Sequence, residues 1–294
     1  MNIAILKAAI PASSRNKGLL AALLGSLMIS FDPVFIRLSG TGGFDTAFLF
    51  GLFTAISMTA FIQATDKRGL TRTLKAGGWP LVLSALLMVG SATTFVLSVK
   101  HTAVVNTMVI MSGRPVLTAV FAWLLVREKT SKKLMAAITG VVFGIAIVVT
   151  GSLESAHLIG DGFAILTVIF LAMNGVLMRR CKEMSRMAIV GLCGFFMAVI
   201  MVFPAHPSSY TLSTWVVMGV MGLVSAPLGR VLNAISPRYI PAAESAAISM
   251  SSMMLAPIWI FFVFSERPPT ATFLGGAIVL STIFAYIYMT RQRN

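Results

Sequence analysis

The chain has 294 residues, of which 57% are apolar and only 11% charged, with a mean hydropathy of +0.91 and a formal charge of +14. So basic a soluble protein would point to nucleic acid, but this apolar fraction excludes a soluble domain. The expected solvent is the lipid bilayer, and no nucleic-acid partner is expected.

Ten apolar stretches follow one another, at residues 18–38, 46–65, 79–99, 102–126, 134–151, 160–178, 187–204, 211–234, 241–264 and 270–289. A hydrocarbon core about 30 Å thick needs about 20 apolar residues per helical span, and the intervals hold no more than short loops. The pattern predicts an all-α polytopic membrane protein with ten transmembrane helices, here called spans 1 to 10. Residues 1–17 and 290–294 form the terminal tails. The basic first residues lead into a full-length span without a short apolar region and cleavage site, so no processing is expected.

Charge fixes the expected orientation. With the amino terminus inside, cytoplasmic segments hold eighteen Lys and Arg residues, whereas the other side holds Arg37, Lys100 and Arg267. Such a bias places both termini in the cytoplasm, and a bacterial inner membrane is the expected location. Trp79 and Trp215, at the starts of spans 3 and 8, suit interfacial anchors on opposite faces.

The second half repeats the first. Gly18, Asp32 and Arg37 fall on Gly160, Asn174 and Arg179 at an offset of 142, and residues 101–129 align without a gap on 239–267 at an offset of 138. In that alignment His101 meets Tyr239, Asn106 meets Glu244 and Glu128 meets Glu266. Each half, 18–151 and 160–289, contains five spans, an odd number, so the halves enter the membrane from opposite sides. Carriers of this architecture bind substrate near the midplane between the halves and expose it to each side in turn.

The repeated features are a helix opened by small and polar residues, a mid-helix proline, a terminal Glu and then a Gly-bearing helix. They occur as VREK followed by Gly140 and Gly144, and as FSER followed by Gly275 and Gly276. This pattern resembles the EamA repeat of the drug/metabolite transporter superfamily, in two copies covering the chain. Within that superfamily the chain is similar to bacterial amino-acid exporters of the YddG type. The resemblance implies export of amino acids or related small metabolites through a central cavity, and leaves the energy source open. One departure concerns the prolines. Pro115 lies thirteen residues before Glu128 and Pro257 nine before Glu266, so the two kinks are not equivalent.

Ionisable residues inside a membrane are costly and are candidate functional groups. Arg114, near the middle of span 4, either holds a substrate carboxylate in a bidentate fork or pairs with a protein carboxylate or with carbonyls freed by Pro115. Asp32, ahead of Pro33 in span 1, could attract an ammonium, carry a proton, neutralise Arg114 or cap a restarted half-helix. Its repeat-mate Asn174 keeps the polarity without the charge. Glu244, in the first turn of span 9, is a substrate or coupling candidate or a partner of the helix dipole. Arg230 is expected to snorkel from the end of span 8. Glu128 and Glu266, each beside a basic residue, are expected as structural or gating pairs. Pro33, Pro115 and Pro257 are candidate hinges or gates.

The remaining signals are mostly negative. Cys181 and Cys193 suit neither a disulfide framework nor a metal site. His101, His157 and His206 are isolated, and neither a P-loop nor a GxSxG elbow is present. No enzyme activity, cofactor or metal is therefore expected, and no segment resembles a channel filter. The Met- and Phe-rich composition suits pliable packing and an adaptable apolar cavity lining. Ala136, Gly140 and Gly144 form a small-residue stripe on span 5. It fits packing within the monomer, the favoured alternative, or a homo-oligomer contact.

Overall fold

The computed structural model describes residues 12–65, 69–126, 132–152, 158–181, 184–266 and 269–291. Most of the amino-terminal tail, and Glu128, Lys129, His157 and Arg267, lie outside the described residues. All regular structure among the described residues is helical. In chain order the helices are α1 (Ala12–Ser30) and α2 (Asp32–Leu38), which together form span 1, α3 (Gly43–Thr65), α4 (Gly69–His101), α5 (Val104–Ser112) and α6 (Arg114–Val126). There follow α7 (Lys132–Ser152), α8 (Leu158–Arg180), α9 (Arg186–Met201), α10 (Leu212–Val220), α11 (Ala226–Ile235), α12 (Ala242–Phe264) and α13 (Thr270–Arg291). Every predicted span thus coincides with a helix or an interrupted helix.

Five of these segments are long and apolar enough to cross a membrane: Arg15–Leu38, Gly43–Ala64, Gly77–His101, Leu158–Arg180 and Leu212–Arg238. Helices α5 and α6 together make a sixth, bent by 43°. The other four, Met135–Gly151, Arg186–Met201, Ile248–Phe264 and Thr270–Ile283, are shorter apolar helices. In hydrocarbon every backbone polar group needs an internal partner, which is why uninterrupted helix dominates and why each interruption has an identifiable cause.

Span 1 breaks at Phe31, where Pro33 opens α2 and has no N–H to continue the α1 ladder. Span 4 bends at Gly113, just before Pro115. Pro257 lies inside the unbroken α12, so of the three candidate hinges it alone interrupts nothing. Span 8 holds an interruption that the sequence reading lacked. Met221–Ser225 winds as a π-helix immediately before Pro227, and the Gly222 carbonyl there accepts a hydrogen bond from Ser57 Oγ at 2.9 Å. Widened turns of this kind relieve a helix interrupted by proline and occur often at functional sites.

The two halves interlock. Span 1 packs on spans 8 and 9, and its repeat-mate, span 6, packs on spans 3 and 4. The glycines make the equivalence atomic. A Cβ added to Gly18 would lie 2.7 Å from Tyr239 Cβ, and one added to Gly160 would lie 2.6 Å from the His101 carbonyl carbon. Tyr239 and His101 are themselves repeat-mates. Spans 2 and 7 instead meet each other: a Cβ on Gly51 would stand 2.9 Å from the Gly194 carbonyl oxygen, and one on Gly194 would stand 2.9 Å from that of Gly51. Gly144 and Gly275 are reciprocal in the same way on spans 5 and 10. The contacts of each half thus recur at equivalent positions of the other.

Span ends sort into two faces. Arg15 pairs with Glu244 at 2.9 Å, so spans 1 and 9 begin on one face, called here the terminal face. On the opposite face Arg37 reaches Glu266, Thr102 Oγ1 donates to Asp161 Oδ1 at 2.7 Å, and Tyr210 Oη donates to Asp45 Oδ1 at 2.9 Å. This pairing matches the alternation read from the loop charges. The largest core cluster lies between the halves, around Ile36, Leu49, Val96, Met197, Met218 and Ile260.

The small-residue stripe serves packing within the monomer. Gly140 faces Thr282, and Gly144 faces Val279 and the Gly275 carbonyl, all on α13. Ala136 is exposed, and Ala137 and Val141 are the buried residues beside it.

Candidate functional site

A cavity of about 460 Å³ lies between the halves, bounded by spans 1, 3 and 4 from the first and spans 6 to 9 from the second. Arg114, Asn174, Arg186, Arg230, Asn233 and Ser249 supply its principal polar groups. Met88, Met178 and Met187 contribute to its apolar wall. The lining reaches the terminal face at Arg186 and Pro237, and its inner end lies near Ile29 and Arg114.

Arg114 is the first residue of α6, immediately beyond the 43° bend. The bend turns its half-buried side chain into the cavity wall, and its guanidinium meets no protein carboxylate among the described residues. Its backbone carbonyl is occupied by Thr118 Oγ1 at 2.8 Å. Asn174 also lines the cavity, with its Oδ1 accepting from Ser84 Oγ at 2.5 Å.

Asp32 is buried and pairs with Arg230, Nη2 to Oδ2 at 3.5 Å, rather than with Arg114. The contact is incomplete on both sides, since Asp32 Oδ1 and Arg230 Nη1 are buried without hydrogen-bond partners. Arg230 also stacks on Phe50, with Cζ 5.3 Å from the ring centroid, an arrangement that favours a cation further. Snorkelling is therefore not what places Arg230. It turns inward to Asp32 and the cavity. Counted along straight helices, Asp32 lies about five turns into span 1 and Arg230 about two turns from the end of span 8. That difference in depth concealed the pair in the sequence, and two isolated charges of opposite sign within spans were the signal that could have suggested it.

Glu244 does not line the cavity. It forms its ion pair with Arg15 at the terminal face. Glu266 caps the start of α5, accepting from the Val104 N–H at 2.9 Å, and its other oxygen stands 3.3 Å from Arg37. Arg37 in turn donates to the Thr102 carbonyl at 2.7 Å. Glu266 is thus an inter-span tie, joining the end of span 9 to the end of span 1 and the start of span 4.

Toward the opposite face, spans 1 and 9 are held together by aromatic and polar contacts. Phe31 stacks on Trp259 with centroids 4.8 Å apart, and Trp259 Nε1 donates to Ser30 Oγ at 2.9 Å. Beyond them, Lys100 Nζ donates to Ser39 Oγ at 2.8 Å and Thr214 Oγ1 to the Ser39 carbonyl at 2.9 Å. Cys181 and Cys193 are free thiols, and no cluster of metal-ligating side chains occurs among the described residues.

The architecture has solved counterparts. One crystal structure superposes with a TM-score of 0.62 over 95% of this chain and 99% of its own, at 16% identity, a likeness of fold alone. No curated protein matches in sequence. The sequence model described as "EamA-like transporter family" matches twice, over residues 16–150 and 158–288. These two matches coincide with the interlocked halves that enclose the cavity, and the chain belongs to the EamA-like transporter family.

Proposed function

We propose that this membrane transporter is a carrier that exports small carboxylate-bearing metabolites, amino acids among them, by alternating access through the cavity between its halves. In this reading all ten helical segments cross a bacterial inner membrane and both termini are cytoplasmic. The excess of Lys and Arg on the terminal face supports that orientation.

The observation that carries the reading is the position of Arg114. A guanidinium that meets no carboxylate among the described residues faces a 460 Å³ space between the repeats, where carriers of this architecture hold substrate. A carboxylate would meet it in a bidentate fork. The cavity reaches the terminal face while Phe31, Trp259 and the Arg37–Glu266 tie close the other side. This shape corresponds to the cytoplasm-facing member of an alternating pair. Rearrangement would take place at two of the interrupted sites, Phe31–Pro33 and Gly113–Pro115, with Pro257 in a secondary role.

The test is flux of a labelled amino-acid panel in proteoliposomes of the purified protein, with and without a pH gradient. Saturable exchange supports the carrier, and accumulation driven by the gradient adds proton coupling. Flux without saturation would identify a channel.

A further inference from the structure

This inference rests on the carrier reading of the cavity and concerns the charge of what enters it. Three arginines line the space, Arg114 and Arg230 within it and the exposed Arg186 at its mouth. Arginine stays protonated under all physiological conditions, so the lining carries three fixed positive charges. Asp32, behind Arg230, offsets one of them.

The other described carboxylates are engaged elsewhere. Glu244 meets Arg15, and Glu266 meets Arg37 and Val104. Asp45 accepts from Tyr210 and the His206 N–H, and Asp161 accepts from Thr102. No described acidic residue lines the cavity. An incoming ammonium would find only neutral acceptors, such as Asn174 Oδ1, already held by Ser84, and Asn233 Oδ1, already held by Ser249. A cation therefore gains little here, and a zwitterion gains through its carboxylate alone.

We infer that the cavity is built for a compact organic dianion, a dicarboxylate or a phosphate monoester. One acidic group meets Arg114, and the second meets the guanidinium of Arg230, which lines the same cavity. Two negative charges neutralise what Asp32 leaves uncompensated. Bidentate, charge-assisted pairing is the strongest polar recognition available to a guanidinium. The methionines accommodate the apolar spacer between the two groups. Arg186 raises the local anion concentration at the entrance.

The test uses proteoliposomes of the full chain and measures exchange of labelled succinate, glycerol 3-phosphate and leucine. Succinate or glycerol 3-phosphate should exchange saturably and at least about tenfold faster than leucine, the equivalent of about 1.4 kcal/mol. The two dianions separate the dicarboxylate from the phosphate source. Arg114→Gln should reduce dianion exchange by about tenfold or more. Arg186→Gln, at the exposed mouth, should slow it several-fold at low salt and less at high salt. Leucine exchange that neither dianion inhibits would overturn the dianion assignment and leave the carrier intact. No flux of any of the three, through protein with full helical circular dichroism, would overturn both.

Discussion

Arg230 and Asp32, from opposite halves of the repeat, approach to 3.5 Å at the inner end of the cavity, each leaving one buried polar atom unsatisfied. A half-satisfied buried pair is a weak source of stability but a sensitive one, because losing either partner strands the other. It also ties span 1 to span 8 beside the cavity, so an anion that engages Arg230 meets a guanidinium already held on one side by Asp32.

Cutting this pair from either side should destabilise the protein more than removing it whole. Arg230→Gln should lower stability by up to about 3 kcal/mol, moderated because Arg230 keeps some solvent contact. Asp32→Asn should cost less, since Phe50 and the cavity still accommodate the cation. The double variant should recover much of the loss. Thermal unfolding of the four proteins in detergent measures the coupling, and strictly additive losses would refute it.

Arg114→Ala should reduce transport at least about tenfold, the order expected for losing a charge-assisted fork, with insertion and thermal stability nearly unchanged because the guanidinium ties no carboxylate among the described residues. Arg114→Lys should recover little, since an ammonium lacks the planar fork. Wild-type flux in either variant would remove Arg114 from the binding site.

Gly51 and Gly194 should tolerate no larger residue. A Cβ on Gly51 would come within 2.7 Å of the Ala198 nitrogen, and one on Gly194 within 2.7 Å of the Ala55 nitrogen. Backbone on backbone cannot yield as a side chain can, so Gly51→Val and Gly194→Val should each cost about 1–3 kcal/mol. Unaltered melting temperatures would show that spans 2 and 7 stand farther apart.

Releasing the opposite face should open it. Glu266→Gln removes the ion pair to Arg37 while keeping an acceptor for the Val104 N–H. In a background lacking Cys181 and Cys193, a Val34→Cys probe should then react faster with a membrane-impermeant thiol reagent added from that face. Equal rates with and without Glu266→Gln would mean that Phe31 and Trp259 alone set the closure.

Much of this molecule was legible in one dimension, for physical reasons. The thickness of the bilayer sets the length of each apolar stretch, so the helical segments of the ten spans could be read directly. The repeat showed at Gly18 and Gly160 because both sites admit only glycine against a packed neighbour. Arg114 stood out because an ionisable residue near the middle of a span is rare. The small residues of span 5 announced close packing, although only the tertiary structure identified α13 as the partner.

The sequence by itself determined a membrane solvent, the helical segments, the two halves and the alternation of their ends, because hydrophobicity, charge bias and internal repetition are properties of residues in order. Which charge meets which was decided only by the tertiary structure. The bend at Gly113 and the π-turn before Pro227 reorient the helices that carry these side chains. They bring Arg230 to Asp32, leave Arg114 facing the cavity, and send Glu244 and Glu266 to ties at opposite ends.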